Sequence, residues 1–229
     1  MATASHAVSV PAGAVTLAGD LDLPRRTRGV VAFAHGSGSS RHSPRNRAVA
    51  GVLREAGLGT LLMDLLTAEE ERADLGTAQL RFDIPLLGRR VTAAVDWLGG
   101  RSDTGGLPVG LFGASTGAAA ALAAAAERSE RVRAVVSRGG RPDLAGPALA
   151  GVRAPVLLVV GGNDLEVLRL NEAAARQLVA PCTVRVIPGA THLFEEPGTL
   201  EQAAEAARDW FLRMVAESGQ GGTEPREGP

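Results

Sequence analysis

LPVGLFGASTGAAAALAAAA, residues 107–126, runs from an apolar strand through a tight turn into a helix. The run from Val109 to Phe112 is short and unbroken, as in a strand buried on both faces. The turn Gly113-Ala114-Ser115-Thr116-Gly117 follows, and an alanine-rich helix starts at once. A G-x-S-x-G string between a strand and a helix lifts its serine onto a strained corner with the hydroxyl exposed. Neighbouring chain passes close to such a corner, so the flanking positions must be small, as Gly113 and Gly117 are. A helix opening there also points free backbone N–H groups at the serine. Ser115 is therefore the first candidate for a nucleophile.

Alternation of apolar runs and helical patterns extends to both sides. Residues 7–23 read as one or two antiparallel edge strands. Further strands are expected at Gly29–Ala34, Gly59–Met63, Val132–Ser137, Pro155–Val160 and Thr183–Ile187. Ser43 with Pro44 reads as a helix start, running to about Glu55 and ended by Gly57. Residues 67–76 are acidic and polar and read as a loop. Helices are expected from Phe82 or Pro85 to Leu98, from Glu166 to Val179, and from Pro197 to Ala216. Such alternation gives an α/β fold: a mainly parallel central sheet with helices on both faces. The stretch between Ser137 and Pro155 is too short for an inserted lid, so no cap domain is expected. Residues 1–217 read as one domain, and residues 218–229, rich in Gly, Glu and Pro, as a disordered tail.

Composition narrows the function classes. The 229 residues are 45% hydrophobic and 21% charged, with a net charge of -1, which favours neither nucleic acid nor an anionic membrane as partner. No uninterrupted apolar run is long enough to span a membrane, and the N-terminus lacks the pattern of a secretory signal. A cytoplasmic location is expected. The single cysteine, Cys182, excludes an intramolecular disulfide and a cysteine metal cluster, and it reads as a buried, inert thiol. The four histidines are scattered without ligand spacing, so neither metal nor cofactor is expected.

In an open parallel sheet, ligands bind beyond the carboxyl ends of the strands. His35-Gly36-Ser37 follows the first central strand, and Ser115 follows the next. Gly161-Gly162-Asn163-Asp164 follows the Pro155 strand, and Pro188 to His192 follows the last. A nucleophile, an acid and a base thus stand past three different strands in the order Ser, Asp, His. Each residue has an ordinary alternative: Asp164 as a helix cap, His192 as a surface histidine, Gly36 and Gly38 as turn formers. Glu166 is a second choice of acid, and Glu195 and Glu196 read as the start of the last helix.

The strings HGSGSS, GASTG, GGND and GATHLFEEPG, in that order, make residues 14–217 resemble the α/β-hydrolase superfamily, in its small, lidless dienelactone-hydrolase-like branch. Dienelactone hydrolases use a cysteine nucleophile. Ser115 stands in its place here, so the resemblance implies a serine esterase reaction. Ser115 would attack an acyl carbonyl, His192 would take and return the proton, and Asp164 would orient the imidazole. The backbone N–H groups of Thr116 and Ser37 would hold the oxyanion, and His35 would keep that loop in shape. The implied partner is a small ester or thioester. Two other functions remain open, a non-catalytic ligand- or partner-binding protein and an acyltransferase using the same residues.

Arginines cluster at the expected rim: Arg41, Arg45, Arg47, Arg81, Arg138 and Arg141. Guanidinium groups suit anionic substrates, but a chain without lysine must carry its surface charge in arginine anyway. Arg138, directly after a central strand, is the candidate for an anionic substrate group. Phe82 and Leu193 are candidates for apolar pocket wall.

Overall fold

The structure is a computed structural model, and it describes residues 6–220. Eight strands form one sheet in the order β1-β2-β4-β3-β5-β6-β7-β8. Of the one or two edge strands expected over residues 7–23 there are two, β1 (His6–Ala12) and β2 (Val15–Asp22), which form an antiparallel hairpin turned at Gly13. β2 also runs antiparallel to β4 (Gly59–Met63), and every other pairing is parallel. β3 (Val30–Ala34), β4, β5 (Val109–Ala114) and β7 (Val156–Gly161) are buried at every residue. That is why they appear in sequence as unbroken apolar runs. β6 (Val132–Arg138) lies between β5 and β7, and β8 (Cys182–Ile187) closes the far edge.

Alternate residues of each strand feed two cores. Val31, Phe33, Phe112, Val136 and Val159 pack under α1 (Pro44–Glu55) and α6 (Thr199–Gln220). Val30, Ala32, Leu111, Val135 and Leu158 pack on the other face. There lie α3 (Ile84–Gly100), α4 (Thr116–Glu127) and α5 (Leu165–Ala175). α4 is buried along almost its whole length, and its run of alanines, broken by the buried Leu122, lets α3 and the 142–151 segment close over it. The 142–151 segment is 3-10 turn, bent at Gly146, and it carries no domain of its own.

One expected loop is a helix. α2 covers Ala68–Asp74. Thr67 accepts a bond from the Glu70 N–H, and the Glu70 carboxylate accepts one from the Thr67 N–H, which makes a capping box. Glu69, Glu70 and Glu71 in its first turn complement the helix dipole. The polar composition that suggested a loop is that of a surface helix held by its start. At the other end, α6 begins at Thr199 and reaches Gln220 instead of stopping near Ala216. Residues 221–229 of the expected tail lie outside the described residues.

Candidate active site

Ser115 sits at the corner between β5 and α4 with φ 50° and ψ -125°, a conformation that costs energy for a side chain larger than hydrogen. Three backbone bonds hold it there. Its N–H donates to the Arg138 carbonyl at 3.4 Å, and its carbonyl accepts from Ala118 at 3.1 Å and from Arg141 at 3.0 Å. The turn after β6 therefore braces the corner after β5. The Ser115 hydroxyl makes no capping bond. It lines a cleft of about 230 Å³ with Ser37, Arg45, Asn46, Arg138, His192 and Leu193.

Asp164 occupies the N-cap position of α5, yet its side chain caps nothing. Its carboxylate reaches across to β8's following loop and meets His192 Nδ1 at 2.7 Å. Nδ1–H donates in that bond, which leaves Nε2 as the lone-pair nitrogen and potential base. Asp164 is largely covered while His192 is 41% exposed in its side chain, so the ring presents to solvent and to the cleft. No hydrogen bond joins Ser115 and His192 among the described residues. Catalytic bonds of this kind commonly tighten only when substrate enters.

The loop that carries His192 is pinned by Asn163 and Glu196, whose part in holding it the sequence did not show. Asn163 donates from its backbone to the Ala190 carbonyl and from its side chain to that of Gly189. Glu196 accepts from the Thr191 hydroxyl at 2.6 Å and from the Thr191 N–H at 3.0 Å. These bonds hold the Glu196 carboxyl below the usual carboxylate range. Glu196 is thus a clamp across the histidine turn and not the start of α6. Its spacing from Thr191 was visible, but no local motif announces such a clamp.

The expected oxyanion donors differ in availability. Thr116 opens α4, so its N–H is among those left unpaired by the helix. The Ser37 N–H is engaged: it donates to the Thr116 hydroxyl at 2.9 Å. It reaches an oxyanion only once that hydroxyl has rotated away. The sequence could not show this, because the competitor is a side chain on the other loop.

His35 holds the Ser37 loop against β4's end. Nδ1 donates to the Gly36 carbonyl at 2.9 Å, and Nε2 accepts from the Leu65 N–H at 3.1 Å. The ring must be neutral to do both, and burial pulls its pKa below 6.5, against smaller upward pulls from the Gly36 carbonyl and Asp64. A proton taken up more readily by the unfolded chain lowers stability as pH falls below about 6.5. Thermal melts from pH 7.5 down to 5 should therefore fall more steeply for the natural protein than for His35→Asn. Parallel curves would show that His35 does not titrate between the two states.

Three pocket and rim assignments are corrected or sharpened. Phe82 is 55% exposed and lines neither the cleft nor the cavity beside it. The Asp74 carboxylate gathers the Leu80 and Arg81 N–H groups and the Arg81 guanidinium, and the 3-10 turn Leu80–Phe82 leaves Phe82 outside. Leu193 does line the cleft, at 41% exposure. Most rim arginines are committed to carboxylates: Arg41 to Asp64, Arg81 to Asp74, Arg141 to Asp143, and Arg45 to Glu195 at 3.4 Å. Arg47 and Arg138 form no ion pair among the described residues, and of the two Arg138 is the buried one. It is 7% exposed, and Nε and Nη1 have no partner. Nη2 has only the Asn46 amide oxygen, at 3.4 Å. Burial and the nearby Arg45 charge bring its pKa down to about 10. Elsewhere, burial raises the Cys182 thiol to about 11, which makes it a poor nucleophile. No group of three or more potential metal ligands occurs among the described residues, and no helix there is long and apolar enough to cross a membrane.

A mostly parallel eight-stranded sheet without a cap, with Ser, Asp and His past strands β5, β7 and β8, defines an α/β-hydrolase-fold protein. The dienelactone hydrolase family model matches residues 26–217, and the chain belongs to that family. The crystal structure of dienelactone hydrolase from Anabaena variabilis is 59% identical, covers 92% of this chain and 98% of its own, and superposes with a TM-score of 0.91. Est1E from Butyrivibrio proteoclasticus, 19% identical over 92% of this chain and 99% of its own, shares the fold with a TM-score of 0.77. Two curated proteins of Mycobacterium tuberculosis, strains CDC 1551 and H37Rv, are 58% identical over 94% of the chain. Both are named, provisionally, phosphoribosyl transferases. The chain spans 48% of their length.

Proposed function

We propose that the protein is a serine hydrolase that cleaves small carboxylic esters or thioesters through an acyl-enzyme. The observation that carries this reading is the Asp164–His192 bond at 2.7 Å beside a cleft that Ser115 also lines. An aspartate at a helix start ordinarily caps the helix. Here it serves a histidine from another loop, an arrangement of use to a base and of none to a pure binder. Ser115 attacks the carbonyl as His192 Nε2 takes its proton. Asp164 stabilises the imidazolium, and the proton passes to the leaving group. Water then repeats the sequence on the acyl-enzyme. Family membership supports hydrolysis over transfer to another acceptor. The name of the Mycobacterium relatives belongs to a protein about twice as long, and we do not extend it to this part. Treatment with a fluorophosphonate followed by peptide mass spectrometry tests the reading: the adduct is expected on Ser115, and one on any other residue would overturn it. A cytoplasmic location is proposed on composition alone.

The substrate is proposed to carry an anionic group in its leaving half. A buried guanidinium without a carboxylate is costly, and Arg138 lines the cleft with Arg45 close by. Its register partner across the sheet is Ala114, next to the nucleophile. A desolvated guanidinium bond contributes about 1.5 to 3 kcal/mol. Arg138→Ala should raise KM for an anionic ester about tenfold or more and change a matched neutral ester little, with Arg138→Lys restoring part of the loss. Equal effects on both esters would make Arg138 structural.

A further inference from the structure

A second cavity, of about 470 Å³, adjoins the cleft. Gly36, Ser37, Ser39 and Ser43 line both, so the two adjoin along the loop after β3. Its other wall comes from Leu65 and Leu66 after β4, Leu75 at the end of α2, and Leu87 on α3. Volumes of this size are ordinary for small-molecule sites. The four leucines give it an apolar wall, and its arginine, Arg81, is spent on Asp74, whereas the cleft holds Arg45 and Arg138. The carboxylates here are Glu71 and Asp74. Asp74 is neutralised by Arg81, whereas Glu71 forms no ion pair among the described residues.

The direction of the substrate follows from His192. The leaving group must receive its proton from His192, so it sits on that residue's side of Ser115. His192 and Leu193 line the cleft and not the second cavity. The acyl group then extends the other way, across the Gly36–Ser43 loop. We infer that this cavity is the acyl subsite, taking an unbranched apolar acyl chain that lacks a terminal carboxylate, with Glu71 at its mouth repelling one. The inference rests on the ester-hydrolase reading above. It adds a division of labour within the site: apolar acyl group toward α2 and α3, charged leaving group toward Arg138. The Glu71 carboxyl is raised above its ordinary value, first by partial burial and then by Asp64, against smaller downward pulls from Arg41 and Arg81, so the surroundings on balance disfavour negative charge there.

The test uses p-nitrophenyl acetate, butanoate and hexanoate with the full chain. Each buried methylene raises kcat/KM about fourfold at most, so hexanoate should exceed acetate by about tenfold or more. Leu66→Trp fills the cavity and should lower that ratio about tenfold. Leu66 is buried, so Leu75→Asp, at a residue 78% exposed, serves as a second variant that leaves the core intact. It should lower the ratio as well. Methyl hexanoate against monomethyl adipate tests the charge: the natural protein should favour hexanoate, and Glu71→Gln should narrow the preference several-fold. Flat chain-length dependence with good turnover overturns the subsite alone. A ratio that neither leucine variant moves, or a charge preference that Glu71→Gln leaves intact, does the same. No turnover of any ester, with no fluorophosphonate adduct, overturns the hydrolase reading and the subsite with it.

Discussion

Ser115→Ala should abolish ester hydrolysis, with a loss of about three to six orders of magnitude in kcat, while the protein stays folded. Alanine removes the attacking oxygen and nothing that holds the corner. The three bonds that fix residue 115 all use its backbone, and the hydroxyl caps no helix. Folding should therefore respond weakly, through the positive φ that alanine tolerates no better than serine. Assay of purified variant and natural protein on one activated ester, beside matched thermal melts, separates chemistry from stability. Full activity in a folded Ser115→Ala would remove the acyl-enzyme from consideration.

Gly117→Ala should have the largest effect on stability of any single-methyl addition near the site. A Cβ at 117 would collide with the Ala34 carbonyl and stand 2.5 Å from the His35 carbonyl oxygen. Both obstacles are backbone at the end of β3, which cannot swing aside as a side chain can. Overpacking of this severity costs about 3 kcal/mol or more. For a domain of this size that is a drop of about 10 °C in Tm. Gly76→Ala is the matched control, since nothing lies within 4 Å of a Cβ there. Equal Tm values for the two variants would show that α4 does not press on the β3 end as described.

The strands and the order of the three candidate residues were legible because burial leaves a direct mark on sequence. β3, β5 and β7 are covered on both faces and so have no polar positions to confuse the reading. Glycine at 113 and 117 marks close approach for the same reason. Features that depend on a distant side chain were not legible. The engagement of the Ser37 amide depends on Thr116, and the clamp on the His192 loop depends on Glu196 turning back. Whether a rim arginine is free depends on carboxylates elsewhere: Arg81 finds Asp74, while Arg138 finds only Asn46 and the ring of Phe194, 5.7 Å away. α2 was missed for a different reason. Its evidence was a reciprocal cap at Thr67 and Glu70, which an analysis of apolar periodicity passes over.

The bracing of Ser115 by the 138–141 turn separates two things that enzymes often entangle. The Arg138 carbonyl and the Arg141 N–H steady the candidate nucleophile, and the carbonyl at 138 is present whatever residue the codon specifies. The Arg138 side chain lines the cleft, where it is proposed to meet an anionic substrate group. On the hydrolase reading, position 138 is expected to tolerate variation in a selection experiment with the chemistry left standing. One codon change there could give the same machine a different clientele.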